Sequence, residues 1–325
     1  MRLGGVSYMG PTNDKDALAL KLFSKIVSFR SALSAIAMAF ALPACAQVAP
    51  KPVQAADGAD PALWVVKDAD TTIYLFGTIH VLKPGLSWFD EGVKKAFDAS
   101  QTLVLEMVEP DAATQQRVVM AKAFDPAGTP LTQALPPNYR GAFATAMGQG
   151  NVPAAAYDKM RPWFAAVTLS LLPIQKLGYD PSNGPEAVLA KAARDAGKKV
   201  EGLETFEGQL GIFDSISRDG QLQLLESTLD ELPKVKTTFE TMVSAWARGN
   251  PDGVAAEMND SLKDSPEVAK ALLTDRNKRW AAWIAERMKQ PGTVFIAVGA
   301  GHLAGDQSVQ AQLGAYKLNA VRVNY

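Results

Sequence analysis

Apolar and polar positions along this chain follow two periods, and the change from one to the other marks its elements. Ala62–Lys67 and Thr71–Phe76 are short runs rich in β-branched and aromatic residues around Asp68-Ala69-Asp70, a pattern that predicts a hairpin. Thr102–Met107, Lys199–Glu204, Thr293–Val298 and Ala320–Asn324 read as further strands. Between them the period lengthens to that of a helix. Asp90–Ser100 is one helix, and Asp111 caps another that runs to Phe124. From Pro130 to Leu177 the helical pattern breaks at Pro136-Pro137, Pro153, Pro162 and Pro173. Gly184-Pro185 opens a helix over Glu186–Ala196, closed by Gly197. Thr205–Gln290 is nearly all helical, with breaks at Gly220, Pro233, Gly249-Asn250-Pro251 and Pro266. Its last helix spans Glu267–Lys289, and a short one spans Asp306–Gly314. Strands and helices alternate at both ends, which predicts an α/β fold: a mixed central β-sheet flanked by helices, with a large helical insertion at about 130–290.

Composition then narrows the setting. The 325 residues are 47% hydrophobic and 21% charged, as in ordinary globular proteins, and a net charge of -1 gives no footprint for nucleic acid. Lys21, Lys25 and Arg30 precede an uncharged run from Ser31 to Leu42 that exits through Pro43-Ala44-Cys45-Ala46. That order describes a secretory signal over residues 1–46, too short for the ~20 apolar residues of a spanning helix. Residues 47–61, rich in Ala and Pro, form a flexible linker, and 62–325 form a single domain. The expected location is periplasmic or secreted. The alternative is a lipoprotein, because Leu42-Pro43-Ala44-Cys45 also resembles a lipobox, and a lipid on Cys45 would then be the one route to a membrane. Cys45 is the only cysteine, so a metal site in the mature protein has to use His, Asp and Glu.

The candidate chemistry sits where apolar runs stop. The chain has two histidines, and both follow a strand as G-x-x-H: Gly77-Thr78-Ile79-His80 and Gly299-Ala300-Gly301-His302. Glu106 and Glu204 end two further strands in the same way. Ligands of open α/β sheets bind beyond the carboxyl ends of the strands, so four such strands would gather two imidazoles and two carboxylates. That set suits zinc, manganese or iron, with an open position for a water. A structural alternative stands beside each residue: a hydrogen-bonded histidine, or a Glu106 paired with an arginine. Arg276 and Asn277 interrupt the apolar stripe of the last long helix; Arg276 reads either as a surface arginine or as a guanidinium that clamps Glu106, Glu204 or a substrate carboxylate. Trp163, Trp280 and Trp283 read as core, and Glu201 falls on the face opposite Glu204. No H-E-x-x-H, G-x-S-x-G, Walker A or strand-following G-x-G-x-x-G is present.

These pieces resemble the TraB/GumN family, which includes the Tiki-type metal-dependent proteases. The resemblance is carried by Gly77–His80, Leu105-Glu106, Gly202-Leu203-Glu204-Thr205, Arg276-Asn277 and Gly299–Gly305, in that order, with Arg161-Pro162-Trp163 as a further landmark. It implies a fold of the type shared with erythromycin-esterase-like and ChaN-like proteins. It also implies divalent-metal protease activity, with His80, Glu106, Glu204 and His302 at the site and Arg276 beside them. The expected function is therefore an exported metal-dependent hydrolase, a peptidase using Mn, Co or Zn. His80 and His302 would be ligands, one glutamate would complete the shell, and the other would be the general base. Two alternatives remain open: a metal-free, histidine-based esterase-like hydrolase, and a non-enzymatic binder of haem or another ligand. The expected partner is a peptide or small-molecule substrate.

Overall fold

The computed structural model describes residues 58–262 and 265–325. The predicted signal peptide, Cys45 and most of the predicted linker lie outside the described residues. Six strands form one mixed sheet: β1 (Leu63–Lys67), β2 (Thr71–Thr78), β3 (Thr102–Met107), β4 (Lys199–Glu204), β5 (Gly292–Gly299) and β6 (Val321–Arg322), in the spatial order β4-β3-β5-β2-β1-β6. β4, β3, β5 and β2 run parallel, and β1 and β6 add antiparallel at one side. Asp68 closes the β1–β2 hairpin, its Oδ1 accepting the backbone N–H of Thr71 at 2.9 Å.

β2, β3 and β5 are apolar along most of their length because both of their faces are covered. Period-two alternation divides them. Phe76, Leu103, Leu105, Phe295 and Ala297 pack on one face with Trp88, Phe97 and Trp246, while Leu75, Val104, Ile296 and Val298 pack on the other with Trp280 and Ile284. A third core lies among the inserted helices, around Trp163, Phe164, Phe213 and Leu225.

The register levels the strand ends. Thr78 lies opposite Gly299, Leu105 opposite both Ala297 and Gly202, and Met107 opposite Glu204. β5, the last of the four parallel strands in sequence, is inserted between β2 and β3. The crossovers therefore change direction at these strands, which is where open sheets leave a crevice.

The predicted strand β4 lies, as expected, among the inserted helices, which enter in two stretches, Ala112–Asp195 and Phe206–Arg287. Several helical expectations need correction. Pro173 does not break its segment but sits inside the helix Pro162–Lys176, whose largely buried apolar surface outweighs one lost ladder bond. Gly220 lies in the first turn of Arg218–Glu231, which Ser217 caps, rather than at a break. The long final helix is three pieces: Pro266–Ala269, a π-helical turn at Lys270–Thr274, and Asp275–Arg287. The short helix spans only Val309–Leu313, and the last strand only Val321–Arg322.

Candidate active site

His80, Glu106, Glu204 and His302 meet at the carboxyl edge of the parallel strands, and Arg276 enters among them. Wide π-type turns recur at functional positions because they re-aim the residues that follow. Here the turn Lys270–Thr274 precedes a helix that buries Arg276, Asn277, Trp280, Ala281 and Ile284 along one stripe. Arg276 is 7% exposed and holds both glutamates. Its Nη2 donates to Glu106 Oε2 at 2.5 Å and to Glu204 Oε2 at 2.8 Å, while its Nε donates to Glu204 Oε1 at 3.0 Å. The remaining lone pairs are also engaged. Trp280 Nε1 donates to Glu204 Oε1 at 3.2 Å, Gln209 Nε2 to Glu106 Oε2 at 3.1 Å, and the Gly299 N–H to Glu106 Oε1 at 2.7 Å. Burial alone would raise the pKa of Glu106, but Arg276 and then the two histidines hold it far below the usual carboxylate range.

The two histidines differ in what they face. Asn277 Nδ2 donates to the Gln307 carbonyl at 2.7 Å, which leaves Asn277 Oδ1 toward His302 Nδ1 at 2.6 Å. That assigns the proton to Nδ1 and leaves the Nε2 lone pair to accept from Arg276 Nη1 at 3.0 Å. His302 is 5% exposed and its ring lies 4.3 Å from that of Trp280. Burial and then the Arg276 charge outweigh Glu106 and push its pKa down to about 3, so it stays neutral.

His80 instead lies on a cavity wall, its side chain 32% exposed. Its Nδ1 is 2.6 Å from Glu186 Oε1, which also accepts from the Thr78 hydroxyl at 2.5 Å. An oxygen that accepts from Thr78 is an acceptor toward the imidazole too, so the Nδ1 proton lies between His80 and Glu186 and the Nε2 lone pair is free for the cavity. Burial pulls the His80 pKa down, but Glu186 and then Glu106 outweigh it and the net shift is upward. Glu186, 4% exposed, comes from the first turn of the helix Pro185–Asp195. Gly184 permits that approach: a Cβ there would lie 2.2 Å from the His80 carbonyl oxygen.

Gly299 marks the centre. A Cβ at this position would lie 3.1 Å from Glu106 Oε1, 3.4 Å from His80 Nε2 and 3.6 Å from the His302 ring. A cavity of ≈ 510 Å³ opens in front of this cluster, roofed by the inserted helices. Sequence reasoning missed Glu186, Thr78 and Gln209. The signal for Glu186 was an acid in a first helical turn, which ordinary helix starts share.

The chain matches the TraB/PrgY/gumN family over residues 62–320. It belongs to that family. Among curated proteins it is similar to an uncharacterized protein of Treponema pallidum (strain Nichols), 22% identical over 264 residues that cover 76% of this chain and 78% of the relative. It is also similar to a metalloprotease TIKI homolog of Amphimedon queenslandica, 22% identical over 316 residues. That match takes in 80% of this chain and 61% of the relative's own length. No solved structure matches.

A divalent metal does not fit the donors as they are arranged. Both oxygens of Glu204 and the Nε2 lone pair of His302 are committed to Arg276, whose positive charge also repels a cation beside it. Among the described residues no group of three His, Cys, Asp or Glu side chains is placed to hold a metal ion. The expectation that His80, His302 and a glutamate form one metal shell is therefore not met in this arrangement. Haem ligation by His302 meets the same obstacle, since both of its ring nitrogens are engaged.

Proposed function

We propose that the protein is an exported hydrolase in which His80, oriented by Glu186, is the general base. The observation that carries this reading is the pairing of a buried carboxylate with His80 Nδ1 at 2.6 Å while Nε2 faces the cavity. With that tautomer fixed, Nε2 takes a proton from a water as the water oxygen attacks a substrate carbonyl, and the imidazolium that forms is stabilised by Glu186. When the tetrahedral intermediate collapses, His80 returns the proton to the leaving oxygen or nitrogen, so the enzyme is regenerated and one water is consumed per bond broken. Arg276 does not act as a base or touch that proton. It clamps Glu106 and Glu204 and thereby sets the floor of the site, with Glu106 fixing the Gly299 backbone that the substrate must approach.

Peptidase activity is the finer form of this reading, supported by the name of the Amphimedon relative. Export is supported by the signal-like pattern of residues 1–46, and N-terminal sequencing of the mature protein tests it against lipidation at Cys45. The reaction is tested by offering p-nitrophenyl esters and a peptide library to protein purified without a histidine tag, with and without EDTA. Hydrolysis that survives EDTA and disappears in His80→Ala supports His80 as the base.

A second reading keeps the metal, and the ring of His80 Nε2, Glu106 Oε1 and His302 around Gly299 favours it. It requires Arg276 to withdraw from His302. Stoichiometric metal in the purified protein, with activity lost to EDTA and restored by Mn, Co or Zn, would select it.

A further inference from the structure

We propose that this site takes an ester or amide of fatty-acid type, with an uncharged apolar acyl chain lying between the inserted helices and its carbonyl against His80. The proposal rests on the hydrolase reading and adds its substrate class. His80, Glu106, Arg276 and His302 lie together on one side of the cavity, at the strand ends. The other walls are mostly aliphatic and aromatic, with Ser170, Gln209, Thr238 and Glu257 the polar side chains among them. Leu171 comes from the helix Pro162–Lys176, Ile212 from Phe206–Ser215, Val235, Phe239 and Met242 from Val235–Ala247, and Leu272 from the π-helical turn. Three helices and the π-helical turn therefore present apolar side chains to one space of ≈ 510 Å³, within the size range of small-molecule sites.

The few polar side chains on these helical walls narrow the ligand further. Ser170 Oγ donates to the Ala166 carbonyl of its own helix at 3.0 Å, and Gln209 Nε2 is given to Glu106. Glu257 is already engaged elsewhere. A peptide lying here would find only the unpartnered Gln209 Oε1 and Thr238 on the inserted helices, too few for its N–H and C=O groups, and each hydrogen bond left unmade carries a cost. A free carboxylate would face Glu106 and Glu257 with Arg276 already neutralised by two glutamates. A hydrocarbon chain asks for none of these partners. Its entry replaces water against apolar walls, which favours binding in proportion to chain length.

Two measurements on the mature protein test this. The first is kcat/KM for p-nitrophenyl esters from acetyl to dodecanoyl. The expected result is a rise of roughly three- to fourfold per methylene until the chain fills the cavity. Met242→Trp, which shortens the space, moves the optimum to shorter chains. The second is displacement of the uncharged fluorophore N-phenyl-1-naphthylamine by methyl decanoate from the His80→Ala protein, which reads binding without turnover. Displacement by methyl decanoate but not by methyl acetate supports the proposal even if no ester is hydrolysed, in which case the hydrolase reading fails and this one stands as a binding site. Hydrolysis with no dependence on chain length, together with no displacement, overturns the acyl-chain proposal and leaves the hydrolase reading intact. Turnover confined to peptides overturns it as well.

Discussion

The two G-x-x-H segments are nearly the same words in sequence and come out as different chemistry. Both follow parallel strands, both end at the same edge, and their glycines lie on neighbouring strands. Yet His80 is poised to be charged, while His302 is locked neutral. The difference is supplied entirely by residues distant in sequence. Glu186 faces His80, whereas Asn277 and Arg276 face His302. A short motif therefore places an imidazole but does not decide its protonation. That is decided by what the helices bring to each ring.

The comparison can be broken by removing either side of it. The largest expected effect is on rate: His80→Ala lowers hydrolysis by about 10²–10⁴-fold, the usual worth of a positioned base, while circular dichroism and the unfolding midpoint change little. His302→Gln, by contrast, acts through the packing of Asn277 and Arg276, so its loss of activity is accompanied by a loss of stability. Next in size is Arg276→Met. Glu106 is 8% exposed and would be left buried without its guanidinium partner, whereas Glu204 keeps Arg279 at 3.5 Å. A destabilisation of about 3–5 kcal/mol is expected in urea unfolding. If stability is unchanged, the clamp described here is wrong.

Glu186→Gln sharpens the contrast through pH. The upward-shifted pKa of His80 means that the base-dependent limb of kcat/KM rises above pH 6.5, since the ring must be deprotonated to act. Removing the Glu186 charge moves that midpoint toward acid. The folded His302, with its pKa near 3, binds fewer protons than the unfolded chain between about pH 3 and 6.5. Its contribution to stability is therefore present above pH 6.5 and is lost as pH falls through that window. A His302→Gln protein should show a shallower acid slope than the wild type. The smallest effect is expected from Gly299→Ala, whose added methyl must displace Glu106 Oε1 by a few tenths of an ångström and would touch His80 Nε2. A cost of roughly 1 kcal/mol in stability should accompany a larger fall in rate, because the methyl sits at the centre of the cluster.

Most of the sheet was legible in the sequence because buried parallel strands are written as continuous apolar runs, and β1, β3, β4 and β5 lie within one residue of their predicted bounds. The gathering of His80, Glu106, Glu204 and His302 at one edge followed from those strands. Glu186 was not legible, because Gly184-Pro185-Glu186 is also how an ordinary helix begins. Nor was the π-helical turn before Arg276, since one extra residue in a turn leaves the apolar period almost unchanged over so short a stretch. Pro173 misled for a related reason: a local breaker was overruled by the burial of Trp163, Phe164 and Leu169 in the same helix. The commitment of His302 and both glutamates to one guanidinium depends on angles that no spacing encodes.

Because the chain has two histidines, the central claim can be read from the protein directly. Long-range ¹H–¹⁵N NMR of imidazole-labelled protein follows both rings through a titration from pH 4 to 9. The account predicts one ring with a midpoint above 6.5, assigned to His80 by its loss in His80→Ala, and a second ring that stays in the Nδ1-protonated neutral form throughout. Two rings titrating together near pH 6.5, or both shifting in concert on addition of one equivalent of zinc, would contradict it.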